Sequence, residues 1–255
     1  MHVEESGQGQ PVVLLHAFPL SSAMWSAQRG ALGEGAHVVT PDLRGFGQTP
    51  HGVDPPSLDQ MADDVAALLD TRGWPSVVLG GLSMGGYVAM AFLRRHGDRV
   101  AALALVDTKA SADTAAGSQG RIAMAEQLQH EQTTQALLDS VYPKLLGATT
   151  FAERPDVAAR VREMVRGADP LAAAWAQRAM AARPDSHDTL RGADVPALVV
   201  VGDEDVLTPV DEARAMTEAL PQGELVVLSQ CGHLSAVEAP DAVSDVLRTF
   251  LHRVG

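Results

Sequence analysis

A single cysteine, Cys231, excludes an internal disulfide and leaves no cysteine cluster for structural zinc. Because it lies two residues before His233 it could pass for a nucleophile. A small buried residue is the reading adopted here, since a serine is better placed for that role. Basic side chains are scarce too: 19 stand against 32 acidic ones, for a net charge of −13. They are scattered rather than gathered into a stripe, which argues against a nucleic-acid partner and for an acidic, solubilising surface. No apolar run is long enough to cross a bilayer, and the residues at Met1, His2, Val3, Glu4 and Glu5 lack the pattern of a secretory leader. A cytoplasmic protein without membrane contact is therefore expected. Internal repeats and low-complexity tracts are absent.

What is present fits one large α/β domain with an insertion: 255 residues, 46% of them hydrophobic and 20% charged. The stretch from Val77 to Gly86 organises the rest. The apolar residues Val77, Val78 and Leu79 meet glycines at 80 and 81, then Ser83, then glycines at 85 and 86, then a helical pattern from Tyr87 to Leu93. This spacing predicts a strand, a sharp turn and a helix. A serine at the tip of such a turn sits in a strained conformation, and only glycine-sized neighbours let strand and helix approach. The N–H groups opening the helix favour negative charge beside the serine. Gly-x-Ser-x-Gly alone is a modest signal, and its weight comes from context.

Along the chain, a polar opening from Glu4 to Gln10 precedes the buried-strand run at residues 12–15, which ends in His16-Ala17-Phe18-Pro19. Acyl transfer needs two backbone N–H groups converging on the carbonyl oxygen, one after the nucleophile and one from a loop after an early strand. Met84 and Phe18 are the matching donors, with His16 supporting its loop. A short helix carrying Trp25 spans residues 22–32, and a strand covers 37–40. In the following loop, Asp42 and Arg44 are expected to form an ion pair fixing a glycine-rich segment, with substrate contact by Arg44 as the lesser alternative. Helical spacing from Leu58 to Leu69 leaves Asp63 and Asp64 as solvated charges. Another buried strand at 100–106 closes with Asp107. Strand and helix alternate so far, which implies a mostly parallel sheet with helices on both faces and catalytic groups at the strands' carboxyl ends.

Between residues 109 and 188 strand-like runs vanish. Helical segments lie near 121–129, 134–146, 155–166 and 170–182, broken at Gly120, Gly147 and Pro184. This is expected to be a helical lid inserted into a core made of residues 1–108 and 189–255. Met124, Leu128, Tyr142, Leu145, Trp175 and Met180 are expected to pack in the lid core, with lining a pocket beneath it as the alternative; Trp25, Tyr142 and Trp175 are the candidate substrate contacts. The alternation resumes with strands at 197–201 and 225–228, and a final helix runs from Asp241 to Leu251.

Serine is a weak nucleophile at neutral pH and needs a base and a group that fixes the base. His233 is the base candidate, in a glycine-flanked loop after the last strand. Asp205 is the orienting acid, because it lies far enough along its loop to turn toward an imidazole; Asp203, Glu204 and Asp107 compete. The chain order Ser83, Asp205, His233 is that of one particular fold.

These motifs resemble the α/β-hydrolase superfamily over nearly the whole chain: His16-Ala17-Phe18-Pro19, the loop from Asp42 to Gly47, Gly81-Leu82-Ser83-Met84-Gly85-Gly86, Gly202 to Asp205 with Pro209, and Gly232-His233. Within it the chain is similar to the group of 3-oxoadipate enol-lactonases, small carboxylesterases and cofactor-free haloperoxidases. The resemblance implies an α/β-hydrolase fold with a helical lid, no metal or organic cofactor, and a small-molecule ester or lactone as partner. Hydrolysis through an acyl-enzyme on Ser83 is the expected activity. C–C bond hydrolysis, perhydrolysis, a lyase step or simple ligand binding are the alternatives. Two departures stand out. Family members usually carry His-Gly where this chain has His16-Ala17, and they usually have a further strand before the segment resembling Met1 to Glu5, so a shorter sheet or a different edge is expected here.

Overall fold

The computed structural model describes residues 1–255. The strands are β1 (Val3–Ser6), β2 (Gln10–Leu15), β3 (Ala36–Pro41), β4 (Val77–Leu82), β5 (Val100–Val106), β6 (Ala197–Gly202) and β7 (Gly223–Leu228). They form one seven-stranded sheet in the order β1-β3-β2-β4-β5-β6-β7, parallel except for β1, which runs antiparallel to β3. The polar opening thus begins in an edge strand. With Val3-Glu4-Glu5-Ser6 only half-buried or exposed, it has none of the apolar periodicity that betrays an inner strand, and its edge place permits that. The central β4, Val-Val-Leu-Gly-Gly-Leu, is buried throughout, as a parallel strand covered on both faces must be.

The helices are α1 (Ser26–Leu32), α2 (Leu58–Arg72), α3 (Met84–His96), α4 (Ala115–Glu131), α5 (Gln135–Ser140), α6 (Ala148–Glu153), α7 (Pro155–Arg166), α8 (Pro170–Ala181), α9 (His187–Arg191), α10 (Val210–Ala219), α11 (Ser235–Glu238) and α12 (Pro240–Val254). None is long and apolar enough to cross a membrane. Helix α1 packs on α12, while α3 packs on α2 and α9, giving two helical layers around the sheet. Helix α2 begins where the Ser57 hydroxyl accepts from the N–H groups of Asp59 and Gln60, and stops at Gly73 in the left-handed conformation. Asp63 and Asp64 on it are not simply solvated: Asp63 pairs with Arg95 and His96, and Asp64 with Arg44.

Helices α4 to α9 fill the span between β5 and β6. Helix α4 lies along α8, and Gly120, expected as a break, sits within α4 with open space around its missing side chain. One glycine costs about 1 kcal/mol there and does not stop a helix of this length. The apolar core is continuous from the sheet into this insertion through Leu128, Leu137, Val161 and Trp175.

Chain order positions the site. After β2 the chain goes to β3 on one side, whereas β4 lies on the other, so the order in which parallel strands are added reverses between β2 and β4, and Leu15 pairs with Gly81 there. Ligands of open α/β sheets bind in the crevice at the strands' carboxyl ends at such a reversal. The loops carrying Phe18 and Ser83 leave β2 and β4 side by side at that edge, with Asp107, Asp205 and His233 following β5, β6 and β7 in turn.

Candidate active site

Ser83 has φ 55° and ψ −113°, an unfavourable region for a residue with a side chain. Its surroundings hold it there: its N–H donates to Val106 O at 3.0 Å and its carbonyl accepts from Thr108 Oγ1 at 2.8 Å. The flanking glycines are required by close approach. A Cβ at Gly81 would stand 2.2 Å from Gly85 O, and one at Gly85 would stand 2.2 Å from Leu15 O. Glycine at 81 and 85 therefore lets β4 turn abruptly into α3 and leaves the Ser83 hydroxyl at the tip.

Ser83 Oγ lies 2.7 Å from His233 Nε2, across 150 positions of sequence, and His233 Nδ1 lies 2.8 Å from Asp205 Oδ2. A carboxylate only accepts, so Nδ1–H donates to Asp205 and Nε2 is left to accept the Ser83 proton. Asp205 is held in turn: Oδ1 accepts from the N–H groups of Leu207 at 2.8 Å and Thr208 at 3.0 Å, and Oδ2 accepts from the Thr208 hydroxyl at 2.6 Å. Burial works against protonation of His233, but the Asp205 charge and hydrogen bond outweigh it and raise its pKa above the ordinary value. In the same pair, burial opposes ionisation of Asp205, and the imidazole and Thr208 prevail and lower its pKa.

The other acids do different work. Asp107 accepts from Gly202 N–H at 2.9 Å and Ser235 N–H at 3.0 Å, tying the ends of β5 and β6 to the segment after His233; burial, then the Asp205 charge, push its carboxyl up to about 8. Asp203 accepts from Gln230 N–H, and Glu204 from Thr149. Glu238, which no motif indicated, is buried with both oxygens engaged. Oε1 accepts from Gly232 and Leu234 N–H on either side of the imidazole, and Oε2 accepts from Gly147 N–H and Thr150 Oγ1 in the insertion. The only sequence hint is a glutamate a turn beyond His233. Cys231 is buried, and burial followed by the Glu238 charge pushes its thiol up to about 12, which denies it thiolate character.

His16 is wholly buried between two backbone groups: Nε2 accepts from Leu43 N–H at 2.9 Å and Nδ1–H donates to Ala17 O at 2.9 Å. Burial drives its pKa down to about 4, so it is a neutral brace between two loops. Ala17 lies outside the left-handed region, so its methyl brings no backbone strain. The N–H groups of Phe18 and Met84 donate to no group in the protein, leaving two donors free beside Ser83. Asp42 does not pair with Arg44. Its carboxylate accepts from Ser22 and Gln48 N–H, whereas Arg44 reaches outward to Asp54 and to Asp64 in a two-pronged bond. A Cβ on Gly47 would lie 2.1 Å from Asp42 Oδ2, so the loop closes tightly over that carboxylate and excludes the guanidinium.

A cavity of about 160 Å³ opens beside Ser83 and His233. Leu145 and Met180 line it, but Trp25, Tyr142, Trp175, Met124 and Leu128 do not. Trp25 is entirely within the core; Tyr142 donates its hydroxyl to Ala158 O at 3.0 Å, and Trp175 its indole N–H to Asp54 O at 2.8 Å. Amphipathic aromatics turn their polar tip to a hydrogen-bond partner, and here that need directs both to backbone carbonyls away from the cavity. Phe18, Tyr87, Gln177 and Leu207 face it instead, together with Lys109, Arg121 and Lys144.

Residues 10–240 match the family model described as the alpha/beta hydrolase fold. Among solved structures, a thermophilic esterase from Thermogutta terrifontis is 40% identical, with a TM-score of 0.96 over 99% of this chain and 93% of that one. The enol-lactonase from Burkholderia xenovorans LB400 is 28% identical, with a TM-score of 0.89 over 98% and 96%. The AB hydrolase superfamily protein YisY of Bacillus subtilis is 28% identical over 98% of this chain and 94% of its own length.

Proposed function

We propose that this chain, which belongs to the α/β-hydrolase fold family and is a hydrolase, cleaves a small carboxylic ester or lactone through an acyl-enzyme on Ser83. The observation that carries this is the pair of hydrogen bonds, 2.7 Å from Ser83 Oγ to His233 Nε2 and 2.8 Å from His233 Nδ1 to Asp205 Oδ2. Ser83 attacks the carbonyl as His233 takes its proton, and Asp205 holds the imidazole in the receptive tautomer and balances the imidazolium. The Phe18 and Met84 N–H groups hold the oxyanion, aided by the N-terminus of α3. The imidazolium returns the proton to the leaving alkoxide; in a lactone the alcohol stays tethered. Water, deprotonated by the same imidazole, then releases the acid and restores the Ser83 hydroxyl.

The helices between residues 109 and 188 act as a lid that limits the substrate. At about 160 Å³ the cavity is smaller than pockets that enclose drug-sized ligands, which favours short acyl and alcohol portions. The esterase and enol-lactonase relatives are consistent with this choice of substrate class. A fluorophosphonate should label Ser83 stoichiometrically and the protein should hydrolyse p-nitrophenyl acetate, with both signals lost in Ser83→Ala. Ester turnover surviving in Ser83→Ala, or a wild-type serine inert to the fluorophosphonate, would refute the proposal.

A further inference from the structure

The chain contains only two lysines, Lys109 and Lys144; its other 17 basic residues are arginines. Both lysines line the cavity beside Ser83, together with Arg121, and no aspartate or glutamate lines it. In a chain of net charge −13, the wall facing the reacting serine is thus strongly cationic. Resting on the hydrolase reading above, we infer that the substrate carries a carboxylate besides its scissile carbonyl, held by Lys109, Lys144 and Arg121.

The three cations have charge and donors to spare. The Lys144 ammonium has no hydrogen bond and no carboxylate within 4 Å, and the nearest carboxylate oxygen to Lys109 Nζ is Asp113 Oδ1 at 3.8 Å. Asp113 is already claimed by Arg121 Nε at 2.5 Å and Arg183 Nη1 at 2.8 Å. One carboxylate therefore serves Lys109, Arg121 and Arg183, and none serves Lys144. Arg121 is steadied by Asp113 and by Gln177 Oε1 at 3.1 Å, while its Nη2 has no partner. A guanidinium held on one side with a free edge on the other is prepared to accept a carboxylate. Lysine supplies a compact point charge on a flexible stem, able to follow an anion without a fixed fork.

The placement sets direction. Lys109 stands two residues beyond Asp107 at the end of β5, the strand beside the one that presents Ser83. Arg121 comes from α4, and Lys144 from a single 3₁₀ turn at Tyr142–Lys144. With the scissile carbonyl between Ser83 Oγ and the Phe18 and Met84 N–H groups, the substrate's carboxylate points toward the insertion. A cavity of about 160 Å³ keeps the two groups a few carbons apart. The carboxylate takes no part in bond making. It is a handle whose binding energy orients the carbonyl.

The test compares monomethyl glutarate with its neutral counterpart, in which a carboxamide replaces the free carboxylate, by pH-stat titration at pH 7.5. The wild type should favour the monoanion by about tenfold or more in kcat/KM, a ratio that falls in high salt. Lys109→Met and Lys144→Met should each lower the ratio about threefold or more, mainly through KM, and Lys144→Arg should restore part of it. Circular dichroism checks that the variants fold. Equal rates for the two esters with Ser83 labelling normally, or a wild-type ratio in the double lysine variant, would overturn the carboxylate assignment alone. Should Ser83 fail to label and neither ester turn over, the hydrolase reading falls. Calorimetry with glutarate then judges the cationic wall by itself: binding that the double variant loses upholds it, and no binding overturns it.

Discussion

Replacing Asp205 by Asn tests the site where it is most constrained. In the native arrangement Oδ1 accepts from two backbone N–H groups and Oδ2 from the Thr208 hydroxyl and the imidazole Nδ1–H. An asparagine can keep the two backbone bonds only by placing its carbonyl oxygen at Oδ1, which puts the amide NH₂ against Thr208 and His233. The amide then donates to Nδ1, the imidazole proton moves to Nε2, and the nitrogen facing Ser83 can no longer accept its proton. A triad locked in the wrong tautomer loses about 10³- to 10⁴-fold in kcat, about 4–5.5 kcal/mol of transition-state stabilisation. The pH profile supplies a second signature. Only neutral His233 is a base, so kcat/KM rises with pH through its pKa, which Asp205 holds above the ordinary value against the pull of burial. Removing the carboxylate leaves burial opposed only by the more weakly acting charges of Asp107 and Glu238, and the acid limb of the residual activity should move to lower pH. Steady-state kinetics on p-nitrophenyl acetate from pH 5 to 9, with the fluorophosphonate labelling rate as a check, measures both. A variant that keeps more than a tenth of wild-type kcat/KM, or whose acid limb moves upward, would show that Asp205 does not orient the base.

Two further outcomes follow from buried groups that brace the site. Glu238→Gln should cost about 2–3 kcal/mol in urea denaturation and lower kcat at least tenfold, because its amide NH₂ must face N–H donors that the carboxylate accepted, Gly232 and Leu234 beside His233 if it takes the Oε1 position or Gly147 if it takes Oε2; unchanged stability and rate would refute its bracing role. His16 has a folded pKa of about 4 against 6.5 unfolded, so the unfolded chain binds the extra proton between those values. Its contribution is therefore complete above pH 6.5 and is lost as pH falls toward 4, about 3 kcal/mol in all. In His16→Gln, whose side chain does not titrate, unfolding free energy should fall by about 2 kcal/mol less between pH 7 and 5 than in the wild type; an equal fall would place the acid sensitivity elsewhere.

Local spacing carried much of this architecture. Val77 to Gly86 announces strand, turn and helix because Ser83 can occupy its strained conformation only between residues without side chains. The buried strands at 100–106 and 197–201 stand out as unbroken apolar runs for the same short-range reason. The edge strand at Val3–Ser6 gave no such signal, since a strand solvated on one side need not be apolar.

Composition and neighbouring residues along the chain determined the alternation of strand and helix, the turn at Ser83, and the candidate groups at the strand ends. Only the sheet order decided which groups meet. Asp107, Asp203, Glu204 and Asp205 all follow strands at one edge, and the packing of β6 beside β7 selects Asp205 for the imidazole while Asp107 is spent on backbone N–H groups. The same holds for the clamp at Glu238, the outward turn of Tyr142 and Trp175, and the convergence of both lysines on one cavity. Each joins groups well separated in the chain, by 16 residues for Tyr142 and Ala158, 91 for Glu238 and Gly147 and 121 for Trp175 and Asp54, separations at which chain spacing no longer constrains direction and only the packed layers do.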